Sequence, residues 1–187
     1  MPKNVVRTFI GIGVTPTAEI NRVLRQLKKM GDAIRPVSVE QLHLTLKFLG
    51  DVFFSSIPDL CRAVEESAAQ FPVMELRMSG LGAFPRKERP SVIWAGFDAA
   101  ESLVELAADV EARCEALGWA AEQRPYHPHL TLARVRRKPP DALAKLFAEH
   151  AETDFGTLEI DSVQVYQSER SSSGSQYTVL SSSDLGG

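Results

Sequence analysis

The sequence predicts two similar lobes of mixed strands and helices that face one another across a cleft. Three observations lead there. The tetrapeptide His-Leu-Thr-Leu occurs twice, beginning at His43 and at His129, 86 positions apart. The segments around each copy follow one order, strand, helix, strand, helix, strand. Residues 71–76 also match residues 155–160, with Phe71/Phe155, Met74/Leu158, Glu75/Glu159 and Leu76/Ile160 each 84 positions apart.

Taken in order, residues 5–14 predict a strand. Residues 16–30 predict a helix, with Thr15 at the N-cap, Pro16 at the first helical position and Gly31 past the end. A turn is expected at Arg35-Pro36. Residues 41–49 alternate with period two as a strand does, 55–70 are helical and 73–84 are strand-like, which closes the first half. The second half repeats the order: strand 92–97, helix 99–117, strand 129–135, helix 140–150, strand 157–166. The Ser-rich residues 171–175 have the composition of a mobile loop, 176–180 of a short last strand and 181–187 of a frayed tail.

At 187 residues the chain suffices for one core, or for two small lobes that share one. Hydrophobic residues at 44% and charged residues at 24% are ordinary for a globular protein, so one self-folding unit, residues 1–187, is expected. The apolar runs are far shorter than the roughly 20 residues that cross a bilayer, which argues against a membrane helix. The opening Met-Pro-Lys-Asn lacks the long apolar region of a signal peptide, so a cytoplasmic location is the expectation. Cys61 and Cys114 fall in helical segments without a Cys-x-x-Cys partner and read as packing residues. A net charge of −3 excludes a surface that coats nucleic acid as a whole; any such contact must be local.

In a strand His43 and Thr45 share one face while Leu44 and Leu46 take the other, and His129 with Thr131 repeats this over Leu130 and Leu132. Leucines then pack the cores, and two imidazoles and two hydroxyls face one cavity. Phosphodiester hydrolysis by acid and base uses such a set: a neutral imidazole takes a proton from water and an imidazolium protonates the departing oxygen. Threonine hydroxyls donate to phosphoryl oxygens, and Arg134, five residues after His129, adds a fixed charge with a planar donor fork. A catalytic zinc usually needs three protein ligands, and neither motif holds an Asp, Glu or Cys at a matching offset. His127 is expected at the cleft rim, and His150, at a helix end, to be structural. Arg136, Arg137 and Lys138, like Arg86, Lys87 and Arg89, read either as solvated loops or as local attractors of phosphate.

These residues resemble the 2H phosphoesterase superfamily, most closely the bacterial and archaeal RNA 2′,3′-cyclic phosphodiesterases, also called 2′-5′ RNA ligases. The resemblance covers nearly the whole chain: Arg7-Thr-Phe-Ile-Gly-Ile, residues 36–50 ending in His-Leu-Thr-Leu-Lys-Phe-Leu-Gly, Arg124-Pro-Tyr-His-Pro-His-Leu-Thr-Leu-Ala-Arg134, and Ser168, Gly174 and Tyr177. It implies an α+β, bilobal fold, duplicated about a pseudo-two-fold axis, with two antiparallel sheets flanking a central cleft and helices on the outer faces. It implies opening of a 2′,3′-cyclic phosphate to a 2′-phosphate without metal or other cofactor. His43 is then the proton donor, His129 the proton acceptor, and Thr45, Thr131 and Arg134 hold the phosphate. The implied partners are RNA with 2′,3′-cyclic phosphate ends or cyclic nucleotides, with no membrane and no obligate protein partner, and a monomeric state. The chain departs from the family at Ile34-Arg35, where an aromatic is common, and at Arg170, where leucine is common. Two other readings share the motifs: a non-catalytic module that binds RNA ends or nucleotides, and a phosphodiesterase for another substrate such as ADP-ribose cyclic phosphate. Reverse 2′-5′ ligation uses the same chemistry, with a ribose hydroxyl in place of water.

Overall fold

The computed structural model describes residues 4–171 and 174–186. Among these residues there are nine strands: β1 (Val5–Gly13), β2 (Ile34–Pro36), β3 (His43–Phe53), β4 (Met74–Phe84), β5 (Val92–Asp98), β6 (Leu130–Val135), β7 (Asp154–Ile160), β8 (Ser162–Ser171) and β9 (Gly174–Asp184). Four α-helices accompany them: α1 (Ala18–Lys28), α2 (Ile57–Ala68), α3 (Glu101–Ala116) and α4 (Ala142–Glu149). The strands form two antiparallel sheets, one in the order β3-β1-β8-β9 and one in the order β2-β6-β5-β4-β7. An α+β fold with two facing antiparallel sheets is therefore what the chain adopts.

The two halves exchange strands, which the linear reading does not anticipate. β4 comes from the first half but pairs with β5 and β7 in the second sheet, while β8 and β9 return from the C-terminal half to extend the first. The match between residues 71–76 and 155–160 is corrected accordingly. Met74/Ile160, Glu75/Glu159 and Leu76/Leu158 are cross-strand partners of β4 and β7, so the two segments are neighbours in one sheet and not equivalent places in two lobes. Similar patterning arises because both strands cover the same core with Met74, Leu76, Leu158 and Ile160.

Several element boundaries move for identifiable reasons. The first helix begins at Ala18 with Thr17, not Thr15, as its cap: the Thr17 hydroxyl accepts from the Ile20 N–H at 3.2 Å and donates to the Phe155 carbonyl at 2.7 Å. Arg35-Pro36 is not a turn but part of β2, which pairs with β6. Residues 157–166 are not one strand: the chain bends at Asp161, whose carbonyl accepts the Leu185 N–H at 2.7 Å, and β7 and β8 enter different sheets. The last strand is long, and residues 181–184 belong to it rather than to a frayed tail, because their backbone is paired with the start of β8 and Leu185 is buried behind them. In the Ser-rich stretch β8 runs to Ser171 and β9 starts at Gly174; residues 172–173 lie outside the described residues.

One apolar cluster joins both sheets, with Ile10 and Ile12 from β1, Leu44 and Leu46 from β3, Ile93 and Ala95 from β5, and Leu130 and Leu132 from β6. Helices α1 and α2 add Ile20, Leu27, Leu60 and Val64, and α3 adds Leu103, Leu106 and Val110. Cys114 is buried in α3, where burial pushes its thiol up to about 11, and Cys61 lies in α2; both are free. None of the described helices is long and apolar enough to cross a membrane.

Candidate active site

Leu44, Leu46, Leu130 and Leu132 are all buried, so their strands can place His43, Thr45, His129 and Thr131 only on the opposite face. The two histidines are held identically. His43 Nδ1 donates to the Gln41 carbonyl at 2.7 Å, and His129 Nδ1 donates to the His127 carbonyl at 2.7 Å. A carbonyl only accepts, so the proton of each neutral ring sits on Nδ1 and each Nε2 is left for chemistry. β3 and β6 approach one another, and His43 lies within the electrostatic reach of both His129 and Arg134.

Strict alternation from His129 would put Arg134 on the core face, since the two are an odd number of positions apart. A β-bulge corrects this. In the β5–β6 ladder Trp94 pairs with Thr131 and Ile93 with Ala133, leaving Leu132 as the extra residue. Leu132 and Ala133 are consequently both buried, and Arg134 emerges, exposed, on the side of Thr131. β3 carries the same device: Gly11 pairs with Thr45 and Ile10 with Lys47, so Leu46 and Lys47 are both buried and Phe48 emerges. Phe48 therefore stands in the first lobe where Arg134 stands in the second, again 86 positions apart.

The surroundings of the two histidines differ. His43 rests on Phe9 at 4.8 Å between ring centroids and meets the edge of Tyr177 at 5.0 Å. Phe9 in turn stacks on Tyr166 at 4.8 Å and on Phe48 at 5.8 Å, and the Arg7 guanidinium lies 5.2 Å from the centre of the Phe48 ring. Gly13 opposite His43 leaves room for the Tyr166 hydroxyl, which a Cβ there would meet at 3.1 Å. His129 packs edge-on against Phe84 at 4.9 Å, and its ring lies nearly parallel to that of His127 at 6.3 Å. Trp94 and Phe84 close that side. The aromatic floor was missed in sequence. The signal available was the apolar residues Phe9 and Trp94 at positions facing away from the leucine cores.

Both imidazoles titrate below their ordinary value of 6.5, chiefly because burial disfavours the charged form. The accepting carbonyls of Gln41 and His127 work against this. Positive neighbours add to the lowering: Arg134 and His129 at His43, His127 at His129. Burial thus favours the neutral form of both imidazoles, and an anion near Arg134 would ease the protonation of His43.

Lys47 is a further residue that the sequence did not single out. Only 5% exposed, its Nζ donates to Glu111 Oε1 at 2.5 Å and to the Ala120 carbonyl at 3.0 Å. Glu111 Oε1 also accepts the Glu122 N–H at 2.9 Å. The first motif strand is thereby tied to α3 and to the segment leading into His127 and His129. Arg35 lies directly across from Arg134 in the β2–β6 ladder. His150 is the C-cap of α4, with Nδ1 3.1 Å from the Thr153 hydroxyl, on the Phe155 side of the second sheet. Among the described residues, no group of three or more His, Cys, Asp or Glu is placed to hold a metal ion. Of the basic runs, Arg136, Arg137 and Lys138 are exposed after β6, and Arg86, Lys87 and Arg89 are exposed in the loop after Phe84.

A family model described as the 2′-5′ RNA ligase superfamily matches residues 15–172. An Aeropyrum pernix protein called RNA 2′,3′-cyclic phosphodiesterase is 34% identical over 163 residues, covering 85% of this chain and 90% of that one. An Aquifex aeolicus protein of the same description is 29% identical over 191 residues, covering 98% and 99%. Among solved structures, the Thermus thermophilus protein TT0787 superposes with a TM-score of 0.80 at 27% identity, covering 97% of this chain and 98% of that one. E. coli LigT complexed with 3′-AMP superposes with a TM-score of 0.72 at 25% identity, covering 97% and 98%.

Proposed function

The chain belongs to the 2′-5′ RNA ligase superfamily, and from that premise we propose that it opens 2′,3′-cyclic phosphates at RNA ends to 2′-phosphates, with His43 and His129 as a metal-independent acid–base pair. The observation that carries this reading is the twin pinning of Nδ1, which leaves the Nε2 of each ring without a hydrogen bond among the described residues, in two histidines close enough to feel one another's charge. His129 takes a proton from water as it adds to phosphorus. The P–O3′ bond then breaks, and His43 gives its proton to O3′. Thr45, Thr131 and Arg134 donate to the non-bridging oxygens, where charge accumulates. The ring of Phe48 offers the sugar and base a surface on the His43 side, and the LigT complex with 3′-AMP is consistent with a nucleotide in such a cleft.

The test is incubation of the purified chain with 2′,3′-cyclic CMP after exhaustive chelation. The expected product is 2′-CMP, formed at an unchanged rate. Formation of 3′-CMP would contradict the leaving-group assignment, and loss of rate restored by zinc or manganese would contradict the metal-free mechanism.

A further inference from the structure

We propose that Gln41 is a positioning residue for the proton donor: its side chain ties the backbone carbonyl that holds His43 to strand β9, at the far edge of the first sheet. The inference rests on the roles given to the two histidines above. β3 and β9 are the two edges of that sheet, with β1 and β8 between them. β1 pairs with β3 along residues 5–13 but with β8 only through residues 8–11, whereas β8 and β9 stay paired as far as Ser171 and Gly174. The β8–β9 hairpin therefore parts from β1, and the coiling of the sheet carries the start of β9 across to the start of β3. Two contacts mark the meeting. Tyr177 meets His43 edge-on at 5.0 Å and Phe9 at 5.1 Å, and Gln41 Nε2 donates to the Ser175 carbonyl.

Gln41 ends a one-turn 3₁₀ helix, Val39–Gln41, that leads into β3. Its N–H donates to the Ser38 carbonyl at 2.9 Å, and its own carbonyl accepts from His43 Nδ1 at 2.7 Å. The turn's other two residues, Val39 and Glu40, are exposed and pack against nothing that would hold it. The Gln41 side chain is what fastens the turn to a strand. An edge strand presents backbone carbonyls to whatever crosses it, and an amide donor of this length reaches one.

A proton donor must aim as well as titrate. His43 keeps one N–H on the carbonyl of residue 41 while Nε2–H is offered to O3′, so the place of that carbonyl sets the direction of Nε2. A shift of about 1 Å at such a point can cost as much as 10²-fold in rate. The second motif meets the same need by packing. There the carbonyl belongs to His127, whose ring lies 5.1 Å from that of Trp94 and 5.7 Å from that of Phe84. At position 41 a hydrogen bond to β9 takes the place of those rings.

The experiment uses Gln41→Met, which keeps the length of the side chain and the backbone carbonyl but removes the donor. On 2′,3′-cyclic CMP kcat should fall about tenfold while KM stays within about twofold. With sulfur in place of O3′ the same variant should come within about twofold of wild type, because a departing thiolate makes little demand on His43. A loosened fold or a damaged binding surface would slow both substrates alike. His43→Ala, run beside it, calibrates the relief that sulfur gives. No loss on the oxygen substrate, or a Gln41→Met defect that persists with sulfur while that of His43→Ala is relieved, would overturn the positioning role and leave the acid–base reading standing. Failure of sulfur to relieve His43→Ala would overturn the assignment of the donor and this inference with it.

Discussion

The two motif strands are alike for four residues and then part. His43-Leu-Thr-Leu and His129-Leu-Thr-Leu share the carbonyl-pinned Nδ1, the buried leucines and the bulge after threonine. At the next two positions Lys47 and Phe48 face Ala133 and Arg134 across the pseudo-symmetry. In the reaction we propose, repetition supplies two interchangeable proton carriers and divergence gives them a direction. The Arg134 side would offer charge to a phosphate and the Phe48 side a ring to a nucleoside, while Lys47 ties the first strand to the segment carrying the second histidine.

The largest expected effect tests the shared part. Replacing His43 or His129 by Ala should lower turnover of a 2′,3′-cyclic nucleotide by about 10²- to 10⁴-fold with the fold retained. The double mutant should be little worse than the slower single one, because the two act as a unit. Near-normal turnover in either single mutant removes that histidine from the mechanism.

The divergent positions come next. Arg134→Gln should reduce kcat/KM by about 10²-fold or more, as loss of a charged transition-state donor does. Phe48→Ala should act mainly on KM, by about tenfold, as loss of a stacking ring does. Adding Phe48→Arg to Arg134→Gln should not restore activity; rescue would show that the two positions are equivalent after all.

Lys47 should matter to stability more than to chemistry. Breaking a buried ion pair costs about 3–5 kcal/mol, and since the Glu111 side chain is 25% exposed we expect about 1–3 kcal/mol for Lys47→Met in denaturant titration. A change within error would mean that Lys47 does not hold the lobes together.

Much of this was legible in sequence and some could not have been. The strands and helices follow from local periodicity, and the duplicated tetrapeptide located the histidines and threonines. The chemistry of a guanidinium points to Arg134 although simple alternation turns it toward the core; the bulge at Leu132 depends on pairing with β5, which no local pattern encodes. The strand exchange was hidden for the same reason, because β4 and β8 look alike until their partners are known. Lys47 was hidden because its partners, Glu111 and the Ala120 carbonyl, lie 64 and 73 positions away.

The smallest effects concern pH. Burial lowers both imidazoles, so kcat/KM should be bell-shaped with its maximum on the acid side of 6.5, the limbs belonging to the pair. Arg134→Gln removes a positive neighbour of His43 and should move the profile upward in pH through that histidine. His127→Ala should do the same through His129. A profile flat from about pH 5 to 9 would contradict histidine acid–base chemistry.

Two identical motifs carrying opposite roles are the heart of the mechanism we propose, and substitution of the leaving atom probes that division without touching the protein's fold. A thiolate leaves far more readily than an alkoxide, since a thiol titrates near 8.5 and an alcohol far higher. With sulfur at the 3′ position of the cyclic substrate, His43→Ala should regain much of its lost rate relative to wild type. His129→Ala should not, because water must still be deprotonated whichever atom departs. Rescue of His129→Ala in place of His43→Ala would reverse the assignment, and equal rescue of both would show that neither histidine is dedicated to the leaving group.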